Sequence, residues 1–150
     1  MATQRDLSYL LALARRLFSP RKMRLLIVTP DMAGARELAA AMPKSYTTVV
    51  VSSAAEALAA IQAEAPTFVA TDIHLPDGSG IDLLSRIHNT SVTQRIYLVA
   101  FGAQMSIHEK IAVFQAGADD CLVKPVEPAR FVNHIERLAR FHQVLESPAS

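Results

Sequence analysis

Short runs of apolar and β-branched residues alternate along this chain with longer stretches in which apolar positions return every three or four residues. The short runs read as strands and the longer stretches as amphipathic helices. Strands are expected at Arg24–Thr29, Thr47–Val51, Thr67–Thr71, Ile96–Phe101 and Asp120–Val123. Helices are expected at Met32–Met42, Ala54–Glu64, Gly80–His88, Ser106–Ala116 and Pro128–Leu145. Val49-Val50-Val51 and the run from Ile96 to Val99 are apolar almost without interruption, which suits strands covered on both faces. The helix ends carry their own punctuation. Pro43 stops the first, Pro66 lies just past the second, and Gly117 follows the fourth as a C-terminal cap. Ser53, ahead of Glu56, is an N-cap with an acid in the first turn. Five such βα units predict an α/β domain with a doubly wound, five-stranded parallel sheet of order 2-1-3-4-5 and helices on both faces. In such sheets the site lies at the carboxyl ends of the strands, the edge on which Thr29, Asp72, Gly102 and Lys124 fall.

Composition narrows the picture only a little. A length of 150 residues suits one domain, able to bury about 70% of its unfolded surface. Hydrophobic residues at 51% and charged residues at 19% fit a folded core rather than a disordered chain. A formal net charge of +1 supplies no global field for drawing in polyanions. Cys121 is alone, so no intrachain disulfide can form and a reducing compartment fits best. No apolar run is long enough to span a bilayer, and the charge order at the N-terminus is wrong for a secretory signal. A cytoplasmic location is the expectation.

Two flanks stand apart from the alternating pattern. Residues 1–22 read as an N-terminal amphipathic helix and a basic linker, 23–145 as the main domain and 146–150 as a tail. Between Asp6 and Phe18, the side chains of Leu7, Leu10, Leu11, Ala14, Leu17 and Phe18 share one helical face, and Ser19-Pro20 ends it. An extra helix docked on the domain is the first reading, with a self-association or partner-binding helix and a membrane-surface helix as alternatives. Arg15, Arg16, Arg21, Lys22 and Arg24 read as a solvated linker, since no aromatic interleaving or DNA-reading motif accompanies them. A single helix takes up most of the chain after Pro125, so no DNA-binding domain is expected within the chain, whether it is a stand-alone domain or a piece cut at Ser147-Pro148 from a longer protein.

The chemistry gathers in two runs. Thr71-Asp72-Ile73-His74-Leu75-Pro76-Asp77-Gly78-Ser79-Gly80 sets a carboxylate at the end of an apolar segment, with Pro76 and Gly80 shaping the turn away from it. Ala116-Gly117-Ala118-Asp119-Asp120-Cys121-Leu122-Val123-Lys124-Pro125 sets a lysine at the end of another. A carboxylate and a fixed ammonium are what phosphoryl transfer to an aspartate requires, because that reaction needs positioning and charge neutralisation more than covalent help. In order and spacing, the two runs resemble the receiver domain of bacterial two-component response regulators, from about Met23 to His142. The resemblance implies a CheY-like, flavodoxin-like fold, Asp72 as phospho-acceptor and Lys124 as the phosphoryl contact. It implies a signalling role in a phosphorelay and no enzyme activity of its own. A histidine kinase or phosphotransfer protein would be the phosphodonor.

Several positions depart from the family's pattern. Its first strand normally ends in two adjacent acids that bind Mg²⁺, and here Thr29 and Pro30 stand in their place. The remaining candidates for a metal are Asp31, Asp72 and the backbone of His74. A unit charge pair about 4 Å apart is worth roughly 4 kcal/mol at an effective dielectric near 20, so losing two carboxylates weakens any Mg²⁺ site severely. The switch hydroxyl falls on Gly102 by gap-free counting, or on Ala100 if the alignment shifts, and the switch aromatic falls on Cys121. These gaps support an alternative: a pseudo-receiver acting as a phosphorylation-independent protein–protein interaction module. Self-association or partner binding would then use 106–116, 120–123 and 128–145, the face through which family members often pair. His74 stands at the pocket rim. His88, His108, His134 and His142 show no metal-ligand spacing and read as surface or helix-packing residues.

Overall fold

The computed structural model describes residues 23–90 and 95–145. The expected N-terminal helix with its basic linker and the 146–150 tail lie outside those residues. Among the described residues, seven strands and five helices follow in order: β1 Met23–Val28, α1 Met32–Ala41, β2 Tyr46–Val51, α2 Ala54–Ala63, β3 Phe68–Asp72, β4 His74–Leu75, β5 Gly78–Ser79, α3 Gly80–Thr90, β6 Tyr97–Gly102, α4 Ile107–Gln115, β7 Asp120–Val123 and α5 Pro128–Leu145. The main sheet has order β2-β1-β3-β6-β7, with every pair parallel. With the β4–β5 hairpin set aside, this is the expected 2-1-3-4-5 order. That hairpin was not anticipated. Two-residue strands show no periodicity, although Pro76-Asp77-Gly78 between them is a legible turn signal.

Burial explains why the central strands form where they do. Every residue of β3 and of β6 is buried, so their uninterrupted apolar runs meet helices on both faces. Successive residues alternate between two cores. Leu25, Ile27, Phe68, Ala70, Tyr97, Val99 and Phe101 meet Phe131, Ile135 and Leu138 of α5 and Leu38 of α1. Leu26, Val28, Val69, Leu98 and Ala100 meet Leu83, Leu84 and Ile87 of α3 and Val113 of α4. Complete burial of a side chain such as Phe131 or Ile135 contributes about 1.5–3 kcal/mol. Among the described residues no helix is long and apolar enough to cross a membrane.

The caps set where helices leave the site edge. Ser53 accepts from the Glu56 backbone N–H at the start of α2, as its position predicts. Asp77, in the β4–β5 turn, accepts from the Ala54 and Ala55 N–H groups at 2.9 Å each and so ties that turn to α2. Ser106 and Glu109 form a reciprocal capping box at α4. Gly117, after α4, has φ +110°, and a Cβ there would lie 2.5 Å from the His88 ring. Only glycine satisfies both conditions.

Candidate functional site

Strand register assembles the site. Val28 pairs with Thr71, so Thr29 and Asp72 follow one step beyond on neighbouring strands. Asp72 pairs with Phe101, and Gly102 pairs with Val123, which puts Lys124 one step further on β7's side. The two candidate switch positions sit differently in this register. Ala100 pairs with Thr71 and Cys121 inside the sheet, whereas Gly102 ends its strand, and its carbonyl accepts from the Lys124 N–H at 2.8 Å.

Asp72 is only 5% exposed, and both of its carboxylate oxygens have partners. Oδ1 accepts from the His74 N–H at 3.1 Å. Oδ2 accepts the Thr29 hydroxyl at 3.4 Å and pairs with the Lys124 ammonium. The Lys124 Nζ also lies 5.4 Å from the centre of the Phe101 ring, close enough for cation–π attraction. Beneath Asp72 the backbone is fixed by contact. A Cβ on Gly80 would sit 1.9 Å from the Asp72 carbonyl oxygen, and the Gly80 N–H donates to the Ile73 carbonyl at 2.9 Å. The glycine eight residues after the aspartate is therefore required by close approach of α3 to the end of β3.

The loop after β1 is built differently. Thr29 is buried, donates its hydroxyl to Asp72 and accepts from the Asp31 N–H at 3.2 Å. Pro30 is exposed and has no N–H to offer. Asp31 is the N-cap of α1, with Oδ1 accepting from the Gly34 N–H at 3.1 Å. A Cβ on Gly34 would fall 2.3 Å from Asp31 Oδ2, so the cap depends on that glycine. The acid one place late in sequence is thus committed to the helix start and not to Asp72. An Asp followed by an amphipathic helix is an N-cap signature, and that signal was available in the sequence.

On the opposite side, Gly102 leaves a space that Ile73 fills. A Cβ at Gly102 would meet Ile73 Cδ1 and Cγ1 at 3.0 Å and Met105 Cγ at 3.5 Å. The Cys121 thiol donates to Met105 Sδ at 3.3 Å. Burial pushes that thiol's pKa up, with Lys110 pulling it the other way and Asp120 reinforcing the rise. A protonated, half-buried thiol is a packing group rather than a reactive one. Beyond Lys124 an open cleft of about 440 Å³ runs past Thr29, Asp31, Leu38, Phe101 and Pro125.

The histidines separate. The His74 side chain is 78% exposed, with Nε2 3.8 Å from Glu109 Oε2. His134 pairs through Nδ1 with Asp120, a contact its spacing did not suggest. His142 meets Tyr97 edge-on with centroids 5.5 Å apart.

Mg²⁺ would need a set of oxygen ligands with carboxylates among them. Here Asp72 has its Oδ2 on Lys124, Thr29 offers a hydroxyl, and Asp31 is held by Gly34. Among the described residues no three His, Cys, Asp or Glu side chains converge on one point. The residues present do not fit the ion.

Comparison with known proteins agrees with this geometry. The family model of the response regulator receiver domain matches residues 25–136. The transcriptional regulatory protein BasR of Escherichia coli K12 is 32% identical over 121 residues, covering 80% of this chain and 54% of its own. The acid tolerance regulatory protein ActR of Rhizobium meliloti is 34% identical over 105 residues, covering 69% of this chain and 53% of its own. This chain thus spans about half the length of both relatives. Among solved structures, a CheY-like response regulator receiver domain protein from Methanospirillum hungatei JF-1 superposes with a TM-score of 0.75 at 27% identity, covering 83% of this chain and 98% of that one.

Proposed function

This chain belongs to the response regulator receiver domain family of two-component signalling, and on that premise we propose that it is a protein-recognition module whose output does not depend on phosphorylation of Asp72. The observation that carries the reading is the packing around Gly102. Ile73 occupies the space beside it, and Cys121, at the switch-aromatic position, is held against Met105. A phosphoryl group at Asp72 would find no hydroxyl at position 102 to draw inward and no ring at position 121 to reorient. The domain binds rather than catalyses, and a cytoplasmic location fits its lone cysteine.

The surface available for a partner is apolar. Ile107, Ile111 and Phe114 are 70%, 49% and 49% exposed along one stripe of α4, and Val123 of β7 is 41% exposed. Together with α5 they make up the face expected for self-association or partner binding. Light scattering of the protein across a concentration series checks self-association, with a dimer mass expected and a monomer mass throughout counting against it.

A second reading keeps Asp72 as phospho-acceptor and Lys124 as its phosphoryl contact, with a histidine kinase as donor. It is favoured by the Asp72–Lys124 pair at the strand ends. Backbone NMR with acetyl phosphate and Mg²⁺ separates the two. Unmoved resonances at Ile111, Phe114, Val123 and His134 are expected. Movement there that Asp72→Asn abolishes would establish the second reading instead.

A further inference from the structure

The family's pocket holds a divalent cation because it gathers three carboxylates against one lysine, an excess of negative charge that the metal balances. In this chain Asp72 and Lys124 cancel each other with nothing added. We infer that the strand-end pocket is a charge-balanced, metal-free site in which Lys124 and the Thr29 hydroxyl have taken over the role of the divalent ion. The loss lies in the two residues after Val28 rather than in the frame around them.

Three contacts support this assignment independently. The Lys124 ammonium lies on the carboxylate oxygen, Oδ2, that also receives the Thr29 hydroxyl, so that oxygen already carries a cation and a neutral donor. The Asp31 carboxylate lines the cleft but is turned to the Gly34 N–H rather than to Asp72, and Gly34 itself is matched to that carboxylate's position. Thr29 is fixed from three directions: its N–H donates to the Val51 carbonyl at 3.0 Å, its hydroxyl donates to Asp72, and its oxygen accepts from Asp31. A hydroxyl so placed satisfies Asp72 without adding charge. An aspartate in its place would set two buried carboxylates side by side and create the demand for a metal. The inference concerns the same pocket as the docking reading but not its partner, and the two can fail separately.

The test is a Mg²⁺ titration of the purified protein followed by backbone NMR at Asp72, Ile73 and His74, alongside the double variant Thr29→Asp/Pro30→Asp. In the wild-type protein these amides should stay still on addition of Mg²⁺ into the millimolar range. In the double variant they should shift saturably, and Mg²⁺ should raise its melting temperature while leaving that of the wild type unchanged. Saturable millimolar binding by the wild type overturns the inference. So does a folded double variant that ignores Mg²⁺, because residues 29 and 30 would then not decide the matter. If the double variant does not fold, the wild-type titration decides alone. No partner enters the measurement, so its outcome is separate from whether α4, β7 and α5 bind one.

Discussion

The loops after β1 and after β3 leave the same edge of one sheet, yet they have kept different things. The loop after β3 retains a complete frame. Asp72 ends the strand, the β4–β5 hairpin follows, Asp77 anchors the hairpin to α2, and Gly80 presses against the Asp72 carbonyl. The loop after β1 retains its place in the register, but its chemistry has become that of a helix start: Thr29 hydroxyl, Pro30, and Asp31 capping α1. The frame holding the aspartate and the groups that would activate it are therefore separable. A fold can keep the first, because packing demands it, after the second has gone.

The largest effect should come from breaking the preserved loop. Gly80→Ala places a methyl 1.9 Å from backbone, which no side-chain adjustment can relieve, and should cost about 3 kcal/mol or more in urea unfolding. A loss below about 1 kcal/mol would show that α3 is free to move away from β3.

Next come the two halves of the buried pair, and they should not be equal. Lys124→Ala leaves a nearly buried carboxylate with one hydroxyl and one N–H, and should destabilise by about 3 kcal/mol. Asp72→Ala leaves an ammonium whose side chain is 27% exposed and can turn to water, so about 1 kcal/mol is expected. Unfolding of both variants in one buffer gives the order, and a reversed order would mean that Asp72 is held mainly by something other than Lys124.

Gly102→Ala should match Asp72→Ala in size. Its methyl meets Ile73 side-chain carbons at 3.0 Å, so the isoleucine must shift by a few tenths of an ångström, at about 1 kcal/mol. Gly102→Ser should cost a similar amount, and restoring the hydroxyl alone should leave the α4 resonances indifferent to a phosphodonor.

The mildest perturbation is of pH. Hydrogen bonds from the Ala54 and Ala55 N–H groups hold the exposed Asp77 carboxyl below its ordinary value. A folded-state pKa lowered in this way stabilises the protein above the unfolded value, about 3.9 for aspartate, and that stability fades as pH falls through the folded value. Melting temperatures of the wild type and Asp77→Asn should therefore converge below about pH 4 and separate above it. A constant gap across that range would remove Asp77 from the account of how the hairpin is anchored.

Much of this was legible in the sequence, and the missing parts share a cause. Strand order followed from alternating runs, and Asp72, Gly80 and Lys124 followed from spacing, because both kinds of information are carried by backbone geometry. That Asp31 caps α1 was legible as an Asp ahead of an amphipathic helix, but the room Gly34 makes for its carboxylate was not, since that depends on the absence of a Cβ there. Nor was the filling of the Gly102 space by Ile73, or the Phe101 ring near the Lys124 ammonium. Those contacts join residues that spacing alone treats as independent. The pairing of His134 with Asp120 was missed for the same reason.

The most direct question is whether Asp72 accepts a phosphoryl group at all. Intact-protein mass spectrometry after incubation with acetyl phosphate and Mg²⁺ measures this without any partner or kinase. The unmodified mass alone is expected, in the wild type as in Asp72→Asn. A wild-type species heavier by one phosphoryl group, absent from Asp72→Asn, would contradict it.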